Sequence, residues 1–81
     1  MSLIVEVRWC DSMVDTRQWL TEDEAKEAWF SQCVSVGKLL DDSPERIILA
    51  AHFGRDGEDV GGVICIPKAC VTHVRELCSI G

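Results

Sequence analysis

Apolar and polar positions alternate from the start of the chain: Leu3, Val5, Val7 and Trp9 interleave with Ile4, Glu6 and Arg8, the period-2 pattern of a half-buried strand. Turn formers follow at Cys10-Asp11-Ser12 and Asp15-Thr16, and the stretch to Trp19 reads as a loop or a short extended piece. Thr21-Glu22-Asp23-Glu24 fits a capping box, in which the Thr21 hydroxyl accepts from the Glu24 amide and the Glu24 carboxylate reaches back. A helix is therefore expected near residues 22–32. Its stripe of Ala25, Ala28 and Trp29 would present Trp29 to the core, where truncation to Ala would cost about 3–5 kcal/mol.

The second half reads as antiparallel strands. Val34 to Leu40 is extended in character, Asp41-Asp42-Ser43-Pro44 is a turn, and Arg46 to Phe53 is rich in β-branched and apolar residues. Ile47-Ile48-Leu49-Ala50-Ala51 lacks alternation, which predicts a central strand covered on both faces. A polar connection over 54–59 leads into a strand from Val60 to Ile66, and Pro67 ends the ladder or sits at an edge. Val71, Val74, Leu77 and Ile80 satisfy strand alternation and helical spacing in part. A strand entered through a turn at Lys68-Ala69 is the preferred reading. The class is α+β, with one domain over residues 1–81.

Gly37-Lys38-Leu39, Ile47-Ile48-Leu49, Val63-Ile64-Cys65-Ile66-Pro67 and Val71 to Leu77, with their turns, resemble the strongly bent small barrels of the Sm and SH3-like type. The resemblance implies a small, strongly bent antiparallel β-barrel or meander of about five strands, with Gly37 at the bend and Pro67-Lys68-Ala69 near the last turn. It also implies rings built by edge-strand pairing, through Ile64, Ile66, Val71 and His73 here. The RNA-reading residues of Sm proteins are not matched: Asp41-Asp42-Ser43-Pro44-Glu45 and Ile66-Pro67-Lys68 stand in those loops, with no aromatic for a base to stack on. The layout of Val5 to Trp9, Thr21 to Ala25, Val34 to Leu40 and Ile66 to Lys68 is also similar to small uncharacterised proteins of phages and mobile elements, which offer no activity to transfer.

Size and charge narrow the function. A chain of 81 residues hides little more than ~60% of its unfolded surface, so burial against a second subunit is a natural supplement and a homo-oligomer is expected. The formal charge of -6 opposes a phosphate backbone, which makes nucleic acid an unlikely partner. The start has no basic n-region followed by an apolar h-region, and no apolar stretch approaches ~18 residues. The expectations are a cytoplasmic protein with reduced thiols and no membrane association.

Candidate chemistry is sparse. Cys65, Cys70, His73 and Cys78 offer four zinc-type ligands in fourteen residues, but without the close Cys pair of a zinc knuckle, and Cys65 falls in an apolar strand. Cys70 with His73 or His52 lacks a cysteine-enzyme signature. Ser35-Val36-Gly37-Lys38 matches Ser-x-x-Lys without companion motifs, and Asp56, Glu58 and Asp59 lack EF-hand spacing. No catalytic residue, metal or cofactor is therefore assigned. The aromatics are expected mainly in the core, with one of Trp9, Trp19 and Phe30 left over to face a ligand or partner; beside Arg8 or Arg17 it would suit a small anion or a protein. The resulting reading is a non-enzymatic binding or adaptor module that self-associates or meets a protein partner. Sequestration of a small anionic ligand between subunits is the alternative, a nucleic-acid binder comes third and an enzyme last.

Overall fold

In the computed structural model, which describes residues 2–80, the alternating segments form five strands: β1 (Ser2–Asp11), β2 (Ser31–Asp42), β3 (Arg46–Phe53), β4 (Val60–Pro67) and β5 (Val71–Ile80). A single helical turn, α1 (Glu22–Ala25), lies between β1 and β2, and a 3-10 turn at Lys68–Cys70 joins β4 to β5. All neighbours pair antiparallel, in the order β4-β3-β2-β1-β5. The expected five strands and the turn at Lys68-Ala69 are present, and β5 is a strand along its whole length.

Two parts of the expected fold class are corrected. Strands occupy 61% of the described residues and helical turns 9%, so the chain is nearly all sheet rather than α+β. The ladder runs from β4 to β5 without joining them, so the sheet is open and no barrel closes. The helix accounts for the first correction. Its capping box forms as expected, with Thr21 Oγ1 accepting from the Glu24 amide at 3.2 Å and Glu24 Oε1 accepting from the Thr21 amide at 3.3 Å. None of its residues is buried, however, and no strand packs extensively against it. A helix without a packed face is marginal at this length, so it ends at Ala25.

The core sits on one face of a curled sheet. Along β2, residues up to Lys38 pair with β1, and from Lys38 onward the partner is β3. The sheet turns over at this exchange, and Val5 and Val7 from β1 meet Ile47 and Leu49 from β3 and Ile66 from β4 in one cluster. Gly37 lies at the crossing, opposite Val5, where a Cβ would stand 2.6 Å from the Ala50 carbonyl oxygen. The glycine expected at the bend is thus required by a close backbone approach. Strand β3 lies between two neighbours and is covered on both faces as far as Ala50, as expected: Ile47 and Leu49 are buried on the core face, Ile48 is half-buried and Ala50 buried on the other, and exposure begins at Ala51.

The aromatics depart furthest from expectation. Trp9 is half-buried against the core, and its indole Nε1 donates to Ser35 Oγ at 3.0 Å. Trp29 is 67% exposed and Trp19 90%, and both lie in the segment joining β1 to β2. The cost forecast for truncating a buried Trp29 therefore does not apply. The molecule measures 55 × 21 × 20 Å with a radius of gyration of 16.6 Å, whereas about 12 Å is usual for a compact domain of this length. No helix among the described residues is long and apolar enough to cross a membrane.

Candidate interaction surface

Strands β2, β1 and β5 present a second face, opposite the core. Directly opposed residues share a face, and the register sets three rows across these strands: Val34, Arg8 and His73; Val36, Glu6 and Arg75; Lys38, Ile4 and Cys78. Arg8, Glu6, His73 and Arg75 make the middle of this face polar on β1 and β5, with Ile4 and Cys78 in the third row. Val34 and Val36 are nevertheless 61% and 52% exposed, an apolar strip beside the charged column.

Glu6 organises that column. Arg8 Nε donates to Glu6 Oε1 at 3.1 Å, and Arg75 Nη2 donates to Glu6 Oε2 at 3.1 Å. The Arg8 hydrogen bond first, and then the Arg75 charge, hold the Glu6 carboxyl below its ordinary value of 4.5. A carboxyl depressed by folding stabilises the native state above its unfolded value, and that contribution is lost as pH falls through the folded value. Glu6→Gln should therefore flatten the stability profile below pH 4.5. Urea denaturation of both proteins across the acid range checks this, and parallel profiles would remove the linkage.

The second surface is the connection 12–30, beyond the last β1–β2 pair of Asp11 with Ser31. Arg17 braces it: Nη2 contacts Asp15 Oδ2 at 2.8 Å and Nη1 lies 3.5 Å from Glu24 Oε2. Hydrogen bonds from the Arg17 side chain and amide hold the Asp15 carboxyl below the usual carboxylate range. Around this brace the segment exposes Met13, Val14, Trp19, Trp29 and Phe30, and the last two rings meet tilted by 32° with centroids 4.7 Å apart.

The expected binding set Arg8, Trp9, Arg17 and Trp19 is therefore divided. Arg8 is on the outer face, Trp9 packs toward the core, and Arg17 and Trp19 stand in the connection. Of the residues expected at an oligomer edge, Ile64 and Ile66 are on β4, and Val71 and His73 are on β5, the two end strands of the ladder. Ile66 is buried and Ile64 packs against the core, so neither side chain is free for an edge contact. The edge of β5 is interrupted by register shifts against β1, and that of β4 by Gly62 with φ +61°. Bulges and kinks of this kind oppose extension of a sheet by another strand. Phe30, expected among the surplus aromatics, is exposed, but sequence reasoning missed its tilted contact with Trp29 and the Val34–Val36 strip. Val34 and Val36 had the signal of apolar residues beyond what so few core positions can hold.

The other candidate chemistry does not assemble. Cys65 is on β4, Cys70 in the 3-10 turn, and His73 and Cys78 on β5; among the described residues no three His, Cys, Asp or Glu side chains are placed to hold a metal. His52 lies over Gly61 and Gly62 on the β3–β4 side of the sheet, away from His73. Ser35 and Lys38 point to opposite faces of β2, as residues three apart in a strand must; the Ser35 hydroxyl accepts from Trp9, and the Lys38 ammonium stands 4.9 Å from the centroid of the Phe53 ring. Asp56 caps its own turn by accepting from the Glu58 amide. Asp41 pairs with Arg46, and Asp42 with Lys68.

Searches against protein-family models, curated proteins and solved structures found no match to this chain.

Proposed function

We propose that the chain is a non-enzymatic, self-associating interaction module whose contact element is the 12–30 connection. The observation that carries this is the surplus of surface. A compact protein of 9.0 kDa exposes about 4,850 Å²; this chain exposes 6309 Å², roughly 1,450 Å² more. A standard interface covers about 800 Å² on each partner, so the surplus is enough for at least one. The 12–30 connection contributes Trp19, Trp29 and Phe30 to this surplus, aromatic side chains of the kind that anchor interfaces, standing outside the core.

Sequestration of a small anion is less well supported, because the Arg8 and Arg75 guanidiniums already share Glu6. The likeness of several segments to small phage and mobile-element proteins supports an origin in such an element, which the flanking genes would test.

Sedimentation velocity tests the association. The protein should form dimers or larger species at micromolar concentration, and Trp29→Ser should shift it to monomer. Because Trp29 is exposed, the same substitution should change folding stability by less than about 1 kcal/mol. A wild-type protein that stays monomeric at high micromolar concentration would overturn this function.

A further inference from the structure

We propose that the outer face of β2, β1 and β5 receives the 12–30 segment of a second copy, so that two chains exchange segments about a twofold axis. The proposal rests on self-association and assigns its acceptor surface.

Charge is the first argument. The segment carries Asp15, Glu22, Asp23, Glu24 and Glu27 against Arg17 and Lys26, an excess of three negative charges, half of the chain's total. On the outer face Arg8, Lys38 and Arg75 stand against Glu6, an excess of two positive charges in a protein that is otherwise acidic. Such a juxtaposition steers encounter and fixes orientation.

Side-chain chemistry is the second. Trp19, Trp29 and Phe30 need flat apolar or cationic surface, and the face supplies the exposed Val34–Val36 strip beside two guanidiniums, which stack on aromatic rings. A depression of about 490 Å³ bounded by Arg8, Cys10, Gln32, Val34 and His73 lies where the face meets the segment.

Topology is the third. The segment does not cover its own face: β1 and β2 stay paired out to Asp11 and Ser31, and it leaves the sheet beyond that last pair. A second copy packed antiparallel along the 55 Å axis places each segment over the other's face. Both contacts are then identical, as a twofold interface requires.

A charge exchange tests this. Arg75→Glu on the face and the pair Asp23→Lys, Glu27→Lys on the segment should each weaken self-association by about tenfold or more. Mixed together, the two variants should form a heterodimer tighter than either variant forms alone, because one of its two contacts is the unaltered pair, a face of +2 with a segment of -3, and the other sets a neutralised face against a segment of +1. Sedimentation of the separate and mixed proteins reads this directly, and circular dichroism confirms that each is folded. If Arg75→Glu does not fold, Val34→Ser takes its place and should also weaken association. Wild-type association in the face variant, alongside a monomeric Trp29→Ser, would overturn the acceptor assignment and leave self-association standing. Two weakened variants that stay apart on mixing would overturn it as well, whereas a monomeric wild type would overturn both readings.

Discussion

Leu49→Ala should lower the midpoint of thermal unfolding by roughly 15 °C or abolish the cooperative transition. Leu49 is 1% exposed and belongs to a cluster of five buried side chains from three strands. Removing a buried leucine costs about 2–5 kcal/mol, from the lost transfer energy and the cavity left behind. A chain of this length has roughly 4–12 kcal/mol of total stability, so one substitution consumes a large share. Each kcal/mol shifts the midpoint by about 4–8 °C in a domain of this size. Circular dichroism at the sheet band checks the result, with Leu40→Ala as the control because Leu40 is 40% exposed. A shift below about 5 °C for Leu49→Ala would mean that the cluster is not the core.

Gly37→Ala should be nearly as damaging, although it adds only one methyl group. The new Cβ would sit 2.6 Å from the Ala50 carbonyl oxygen and 3.1 Å from its carbonyl carbon. Both are backbone atoms of a buried strand and cannot rotate away. Relief requires β2 and β3 to separate where β2 exchanges partners, straining the Lys38–Ala50 and Val5–Gly37 pairings together. Overpacking of this kind costs about 1–3 kcal/mol and sometimes more. Urea titration should show a lower midpoint with an unchanged slope. A midpoint equal to the wild type would mean that the approach of the two strands is looser than the geometry shown.

Both predictions concern the curl of the sheet, and the curl also shapes the proposed interface. Because the inner face folds over β2 to bury Val5, Val7, Ile47, Leu49 and Ile66, the outer face of β2, β1 and β5 is left without cover. The β1–β2 hairpin extends beyond the curl and carries the aromatic segment with it. The residues that stabilise the fold and those that would join two copies are therefore different sets. This is why Trp29→Ser is expected to separate association from stability, while Leu49→Ala is not.

Much of the strand content was legible in the sequence. Alternation at Leu3, Val5, Val7 and Trp9 and β-branched runs at Ile47-Ile48 and Val63-Ile64 are local signals that mark the strands expected of them, whereas the turn expected at Asp41 to Pro44 starts at Ser43, because Asp41 and Asp42 still pair with Ile48 and Ile47 of β3. The Thr21–Glu24 capping box was equally legible, because its donors and acceptors lie within one turn of chain. The helix was overextended for a different reason. The Ala25, Ala28 and Trp29 stripe satisfies helical spacing, but spacing states only which residues share a face and not whether anything covers that face.

The candidate binding residues were half legible for the same reason. Arg8, Arg17 and Trp19 were identifiable as charge and surplus aromatic, yet their division between a sheet face and a distal segment depends on the β1–β2 and β1–β5 registers. The sequence by itself determined where strands form, where they turn and that so short a chain holds more apolar surface than it can bury, because these follow from local periodicity and length. Only the tertiary structure decided that the sheet stays open, that β2 changes partner at Lys38 over Gly37, and that the tryptophan meant for the core stands outside it. Those outcomes depend on which strands meet across the chain, and the energy of such meetings is written in pairs of residues far apart in sequence.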